Sequence, residues 1–278
     1  MTSAQRSGEA SSGEAEETQP SSRLRRFLSS PVTWVGGVLS TVAAGILVAW
    51  MPTGGRDLID RMTNADPLPL LRVTEDLEGA VALDRPIDDA DDRAALLTDP
   101  DSFPRLVAKY GGATVGRVDV SIVAEGGRGR VRVVDIRPRI ARKLPALDDS
   151  YFLPGSGGEP AVISMTSYLD RPDIRFHLPG KAGGLYFSAK HIEIARGEQV
   201  GLLLTFEAKK AYYEFDIVVT VLADGREYQK IINRKDGTKF RVTGVAADYR
   251  RFYEGDGSTW YPMRKGGKCR IFTKSKGC

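Results

Sequence analysis

The chain has 278 residues, of which 41% are hydrophobic and 27% are charged. These values are ordinary for a globular protein and exclude a collagen-like or wholly disordered chain. The formal net charge is +4, but residues 260–278 carry six cations and no acid, so the remainder sums to −2. A nucleic-acid-binding domain is expected to spread its cations over a folded face among aromatic side chains. We therefore predict no nucleic-acid partner.

Residues 31–51, PVTWVGGVLSTVAAGILVAWM, contain no charged side chain and have the length of about 20 residues that a transmembrane helix needs. Trp34 and Trp50 lie near the two ends, where indole rings favour the headgroup layers. At about 1.5 Å per residue they would be about 24 Å apart along a helix. The sequence predicts one transmembrane helix as a membrane anchor. The alternative is a buried core helix.

The arginines that flank this stretch predict its orientation. Arg23, Arg25 and Arg26 precede it, and only Arg56 and Arg61 follow it closely. Because cytoplasmic flanks carry the excess of Lys and Arg, we expect a cytoplasmic N-terminus and an extracytoplasmic C-terminal domain. A cleaved signal peptide is the alternative, but its apolar region spans about 7–15 residues and ends at a small-residue cleavage site. An uncleaved signal anchor in the cell membrane fits better.

A stripe of small residues follows one face of the predicted helix. Gly37, Thr41, Gly45 and Ala49 recur at every fourth position. Such a stripe allows two helix backbones to approach closely, so it is a candidate face for homodimerisation. Small residues are also common in membrane helices that do not pair, and the sequence leaves both interpretations open.

The segments around the anchor differ in composition. Residues 1–30 are rich in Ser, Gly and Glu without apolar periodicity, which predicts a disordered cytoplasmic tail. Residues 52–69 contain Pro67 and Pro69 and are interpreted as a juxtamembrane linker. Residues 70–112 are predicted as a mixed N-terminal extension of the outer domain. Its expected elements are strands at Leu70–Leu77 and Ala80–Leu83 and helical turns at Asp91–Thr98 and Phe103–Tyr110.

The run Asp88-Asp89-Ala90-Asp91-Asp92 suggests a calcium site at first sight. An EF-hand loop needs oxygen ligands at alternate positions, and this pattern fails at Ala90 or Arg93, depending on where the count begins. We therefore predict a solvated acidic turn that caps the N-terminus of the following helix, and no metal site.

From residue 113 to 255 the hydrophobic pattern has a period of two, which indicates β-strands. Val118, Val120 and Ile122 alternate with polar residues. The next apolar run changes phase near Val134, which predicts a β-bulge, and Pro138 predicts a strand end or a sheet edge.

The later strands are separated by turn residues, including Asp224-Gly225 and Asp236-Gly237. The longest alternating face is predicted to lie at the centre of the core; its residues are Phe215, Ile217, Val219 and Val221. The other expected strands are Ala161–Ser167, Leu185–Ile194, Val200–Ala208, Arg226–Asn233 and Lys239–Thr243. Many short strands between turns predict a mainly β protein, an antiparallel immunoglobulin-like β-sandwich tethered by one N-terminal transmembrane helix, followed by a basic C-terminal tail at 256–278.

Three stretches carry a resemblance to a known group. They are VGRVDVSIVAEGGRGRVRVVDIRPRI, LYFSAKHIEIARGEQVGLLLTF and DGREYQKIINRKDGTKFRVTG. Together with the anchor, they resemble uncharacterised single-pass membrane-anchored proteins of high-GC Gram-positive bacteria with an immunoglobulin-like outer domain. The resemblance covers about Ala113–Tyr253 and implies fold and compartment, but no activity. Paired cysteines in the strand region of such relatives have no counterpart here, because residues 208–213 contain none.

No catalytic, cofactor or metal motif is recognised in the sequence. His177 and His191 are the only histidines, and neither has a carboxylate or cysteine at ligand spacing. A G-x-S-x-G nucleophile elbow and phosphate-binding glycine loops are absent from the sequence. We therefore expect no cofactor and no enzymatic activity, with a hydrolase that uses carboxylates alone as the remaining enzymatic alternative.

Two functions fit this organisation. The first is a non-catalytic envelope protein whose sandwich binds a protein or cell-wall partner, with loops such as Leu153–Pro160 and Pro179–Gly184 as its surface. The second is a sensory or signalling subunit, although its N-terminal tail of 30 residues contains no recognisable effector domain.

The only two cysteines, Cys269 and Cys278, are close in sequence near the C-terminus. In an oxidising compartment, an even number of cysteines at short spacing predicts a disulfide. The bond would bring Arg270-Ile271-Phe272 back toward the sheet as a last short strand. Two free thiols in a frayed tail are the alternative.

Overall fold

The structure, a computed structural model, describes residues 65–76, 79–127, 129–154, 163–178, 184–256, 259–273 and 278. The predicted tail, the predicted transmembrane helix 31–51 and most of the linker lie outside these residues. None of the described helices combines the length and the apolar composition that a membrane crossing requires.

The described part of the chain is mainly β. Its strands are β1 (Leu70–Asp76), β2 (Val81–Leu83), β3 (Ala113–Val115), β4 (Arg117–Glu125), β5 (Val131–Pro145), β6 (Ser150–Leu153), β7 (Ile163–Tyr168), β8 (Phe176–His177), β9 (Ile192–Ile194), β10 (Gln199–Glu207), β11 (Ala211–Ala223), β12 (Arg226–Ile232), β13 (Phe240–Thr243), β14 (Arg251–Gly255) and β15 (Trp260–Pro262). Its helices are α1 (Ala90–Thr98), α2 (Ser102–Lys109), α3 (Tyr186–Ala189) and α4 (Lys265–Ile271).

The smaller sheet has the order β1-β4-β10-β7-β8. In β4, Val118, Val120 and Ile122 are at most 1% exposed, whereas the residues between them are partly or fully exposed. The alternation predicted for this strand is confirmed. Leu204 and Phe206 of β10 belong to the same buried cluster, so one face of this sheet covers the core.

The larger sheet has the order β15-β14-β6-β2-β3-β13-β11-β5-β9, with β12 also paired to β11. Strand β11 is its central element, because β5 pairs with it from Ala211 to Ala223. The four residues of β11 predicted for the core centre are at most 2% exposed, which confirms that prediction. They pack in one cluster with the inward residues of β4 and β10, and the two sheets form a sandwich-like fold. We call this cluster the sandwich core.

The phase change in β5 is a β-bulge, as predicted. Asp135 pairs with Thr220 and Val133 pairs with Val221, which leaves Val134 without a partner residue on β11. Pro138 pairs opposite Ile217 within the strand. Strand β9 covers only residues 131–133, so among the described residues Pro138 lies on an open edge of β5. The edge alternative is therefore the right one.

The turn at Asp224-Gly225 is the predicted tight hairpin between β11 and β12. Both residues have positive φ, 52° and 72°, which a two-residue hairpin of this kind requires. Glycine carries no steric penalty in that conformation, and aspartate tolerates it better than most residues.

Three sequence-based predictions are wrong. The sheets are mixed rather than antiparallel, because β7–β10, β3–β13 and β6–β14 are parallel pairs. The strand predicted at Leu185–Ile194 consists of the single-turn helix α3 followed by the short strand β9. The last strand predicted at 270–272 is instead the end of helix α4. A period of two identifies strands and their faces but contains no information about strand direction.

One end of the larger sheet has a different architecture, which we call the helical flank; it consists of β2, β3, β6, β14, β15, α1, α2 and α4. Adjacent residues of β6 point to opposite faces, with Phe152 in the cluster under α1 and α2 and Tyr151 in the cluster beside Phe272. Leu96 of α1 and Leu106 of α2 are fully buried. Both predicted helical turns are present, and the Asp89 carboxylate caps α1 by accepting from the N–H groups of Asp91 and Asp92.

Candidate binding cleft between the two sheets

A cleft of about 730 Å³ opens on one side of the sandwich, where the edges of the two sheets face each other. It is lined by residues 70–75 of β1, by residues 233–236 of the turn after β12, and by Phe240. β1 pairs with β4 on one edge and has no partner strand on its other edge among the described residues. A volume of this size is within the range of ligand-binding clefts.

Two ion pairs connect β1 and the residues just before it to β12 and the turn after it, and only the second pair lines the cleft. Near one end, the ammonium group of Lys230 contacts the Asp66 carboxylate and donates to the Leu68 carbonyl at 2.8 Å. At the other end, Arg234 Nη2 donates to Glu75 Oε1 at 2.5 Å, and its Nε lies 2.5 Å from Oε2. No backbone pairing joins β1 to β12 or β13 in the described residues. Side chains alone therefore hold this side of the sandwich together.

The Glu75 carboxylate is the buried acid of the cleft. Its side chain is 11% exposed and the Arg234 side chain is 14% exposed. Burial raises the pKa of Glu75 above its usual 4.5, although the hydrogen bond and the charge of Arg234 act in the opposite direction. Burial is the larger of these effects, so the charged form of Glu75 loses more by dehydration than it gains from Arg234. Any change that opens the cleft to water would relieve that loss.

The floor and the rim of the cleft differ in chemistry. Phe240 is fully buried in the floor, and Leu70 and Val73 are partly buried beside it. Leu71 is the extra residue of a β-bulge in β1, and 49% of its surface is exposed. On the rim, Arg72 hydrogen-bonds only Thr74, and neither Arg72 nor Lys235 has a carboxylate partner in the described part of the chain. The cleft thus combines an apolar floor with two cations available to a ligand.

A second buried carboxylate was not expected from the sequence. Asp92, predicted to be solvated, has a side chain that is only 7% exposed. It accepts from Lys109 at 2.5 Å, from Tyr110 at 2.8 Å and from Arg105 at 3.2 Å. The hydrogen bonds from Lys109 and Tyr110 lower the pKa of Asp92 to about 2. Because every donor comes from α2 or the residue after it, Asp92 joins the two helices and has a structural role.

The other site residues of the sequence analysis are not part of the cleft. Cys269 and Cys278 form a disulfide in the structure, with Cα atoms 5.3 Å apart. Their state in the cell remains a prediction. The residues of the predicted transmembrane helix (Trp34, Trp50, Gly37, Thr41, Gly45 and Ala49) lie outside the described residues, as do most of the two loops predicted as a binding surface.

The two histidines have different surroundings, and neither lines the cleft. His191 lies 3.5 Å from Glu193, which also pairs with Arg132. His177 is 7% exposed, and neither of its ring nitrogens has a hydrogen-bond partner in the described structure. Within the described residues, no group of three His, Cys, Asp or Glu side chains is arranged to hold a metal ion.

Comparisons with known proteins supply no further information about the cleft. No protein-family model matches the chain, and a search of curated proteins finds no relative. Sequence reasoning missed the pair Glu75–Arg234 because its members are 159 residues apart, and neither lies in a recognisable motif. The only local signal was that Val73 and Glu75, two positions apart in a short predicted strand, would lie on the same face of it.

Proposed function

We propose that this is a non-catalytic protein of the cell envelope, anchored in the membrane by residues 31–51, whose extracytoplasmic domain binds a protein or cell-wall partner. The uncharged stretch, its arginine flanks and the resemblance to membrane-anchored proteins support the compartment. The partner binds in the cleft between β1 and the turn after β12. The observation that carries this role is an open cleft with an apolar floor, at a sheet edge held together only by side chains.

Reporter fusions test the compartment. Alkaline phosphatase fused after Gly55 or after Cys278 is expected to be active, because both junctions would lie outside the cytoplasm. A cytoplasmic fluorescent reporter at the same junctions is expected to be silent. The opposite pattern at both junctions would refute the proposed orientation.

Photo-cross-linking in intact cells tests the binding role. A photoreactive amino acid placed at Leu71, which is exposed in the cleft, is expected to form a covalent adduct with one envelope protein or wall fragment. Val245 is similarly exposed, at 53%, but does not line the cleft, so it provides the matched control. Mass spectrometry should identify the same adduct at Leu71 in repeated experiments and none at Val245. Equal labelling at both positions would contradict a specific role of the cleft.

A further inference from the structure

The sheet edges of this protein are protected to very different degrees. The terminal strands β8, β9 and β15 are only two or three residues long. Strand β12 pairs with β11 alone among the described residues and is seven residues long, but it carries the charged residues Arg226, Glu227 and Lys230. The open edge of β5 carries Pro138 together with the exposed cations Arg137 and Arg139. Short strands, prolines and charges are the usual means by which proteins block pairing with another chain.

Strand β1 carries a bulge and the charged residues Arg72, Glu75 and Asp76, but it is longer than β8, β9 and β15 and contains no proline. It is seven residues long, and three of its first four residues are the apolar Leu70, Leu71 and Val73. After the bulge at Leu71, its register with β4 is regular from Arg72 to Asp76. Alternate residues of a regular edge strand direct their N–H and C=O groups away from the sheet, and here that edge borders the cleft.

The dimensions fit an added strand. The contacts of Lys230 with Leu68 and of Arg234 with Glu75 mark the two ends of the accessible edge. Leu68 and Glu75 are seven residue steps apart, with six residues between them, which corresponds to about 23 Å of extended chain at about 3.3 Å per step. An extended peptide of about six residues would therefore fill the length between the two ion pairs.

The charges indicate the composition of such a peptide. Arg72 and Lys235 have no carboxylate partner in the described residues, whereas Glu75 is already paired with Arg234. The Asp236 carboxylate accepts from the N–H and hydroxyl groups of Thr238 within its own turn. The Thr238 donors are neutral, so Asp236 keeps its charge, and the lining has three cations (Arg72, Arg234 and Lys235) against two acids (Glu75 and Asp236), a net charge of +1. Arg72 and Lys235 are the two cations without a carboxylate partner among the described residues. An acidic segment with apolar residues at alternate positions is complementary to this rim and floor.

Building on the proposed function, we propose that the cleft binds an extended acidic segment of a partner protein, which pairs with the open edge of β1 as an additional strand. Its carboxylates contact Arg72 and Lys235, and its apolar side chains pack over Leu70 and Val73, which are only partly buried. Main-chain hydrogen bonds provide affinity, and the alternating side chains provide specificity.

Fluorescence anisotropy of the full-length protein in mild detergent tests this mode. The probe is a fluorescein-labelled hexapeptide of alternating aspartate and valine, and its matched control has lysine in place of aspartate. We expect the lysine peptide to bind at least tenfold more weakly. Arg72→Glu and Lys235→Glu should each weaken binding of the acidic peptide by a similar factor, whereas Arg137→Glu on the open edge of β5 should leave it unchanged.

Backbone methylation of the probe distinguishes strand addition from simple charge attraction. One peptide is N-methylated at all aspartates and another at all valines. Only alternate N–H groups of an added strand pair with β1. One of the two methylated peptides should therefore lose binding, and the other should keep it. Equal behaviour of the two peptides, or no binding of the acidic probe, would overturn strand addition.

Failure of this inference and failure of the proposed function have different signatures. If the peptides fail but Leu71 still cross-links to one envelope component, the binding role is supported and strand addition is refuted. If the Leu71 adduct is a second copy of this chain, self-association replaces the acidic partner and refutes the inference. If both the peptides and the cross-link fail, neither proposal holds.

Discussion

The sandwich core and the helical flank share one continuous sheet but obtain their stability in different ways. In the sandwich core, regular alternation along β4, β10 and β11 turns aliphatic and phenylalanine side chains inward from both sheets. In the helical flank, aromatic rings from distant segments meet. Phe152 lies 4.6 Å from the Tyr253 ring and 5.2 Å from both Phe103 and Trp260, measured between ring centroids.

The helical flank and the cleft also differ in how each accommodates a buried carboxylate. The flank contains Asp92, whose carboxylate accepts from three side chains, so its pKa is lowered. The cleft at the side of the sandwich contains Glu75, which accepts from Arg234 alone, and its pKa is raised by burial. A buried acid with several donors fastens two elements together. A buried acid with one donor leaves its surroundings less stable and easier to open.

The largest effect is expected in the sandwich core. Val219→Asp places an unpaired charge at a position that is 2% exposed, so it should destabilise the fold by roughly 3–5 kcal/mol. Leu222→Asp is the matched control, because it lies on the same strand and is 39% exposed. Denaturant unfolding of the full-length protein in detergent measures both variants. Equal losses would show that the alternation of β11 does not define the core.

The second prediction concerns the C-terminal end of the flank. The disulfide between Cys269 and Cys278 should stabilise by at most about 2–3 kcal/mol on the loop-entropy model. It fastens the end of α4, where Phe272 contacts Tyr151, Tyr249 and Phe252 at centroid distances of 5.0–5.3 Å. Reductant should lower the melting temperature of the wild type but not that of a variant with serine at both positions.

Non-reducing mass spectrometry of a tryptic digest tests whether this bond exists in native membranes. Cleavage after Arg270 or Lys274 leaves the fragments joined only if the cysteines are paired. Two separately alkylated cysteines would refute the predicted disulfide and the oxidising compartment that supports it.

The third prediction uses the low pKa of Asp92. A carboxylate with a lowered folded-state pKa stabilises the protein above its usual pKa, and the contribution is lost as the carboxylate is protonated. Here the loss should occur as the pH falls from 3.8 to about 2. Asp92→Asn should lower the melting temperature by a few degrees at neutral pH. It should also make the melting temperature less dependent on pH in this acid range. Asp91→Asn, at an exposed position, should do neither.

The smallest effect is expected in the cleft. Because the folded-state pKa of Glu75 is raised, its ionisation makes the protein less stable as the pH increases above 4.5. Glu75→Gln removes this dependence, so the wild type should lose stability relative to the variant over the same increase in pH. Asp84→Asn, at an exposed site away from the cleft, is the control. A wild type that gains stability relative to Glu75→Gln above pH 4.5 would contradict burial as the dominant cause.

Local features of the sequence determined strands β4, β5 and β11 of the sandwich. The alternation in β4 and β11, the bulge at Val134 and the hairpin at Asp224-Gly225 all depend on residues a few positions apart. Short-range sterics and side-chain periodicity are sufficient for such features. The cap of α1 by Asp89 belongs to the same class, because its donors are two and three residues away.

The tertiary structure alone decided strand direction, the cleft and the burial of Asp92. Parallel pairs such as β7–β10 and ion pairs such as Glu75–Arg234 join segments that are far apart in sequence. Asp92 appears as one acid of a polar run until Lys109 and Tyr110 fold over it. Periodicity states which face of an element is buried, but the neighbour that covers that face depends on the arrangement of the whole chain.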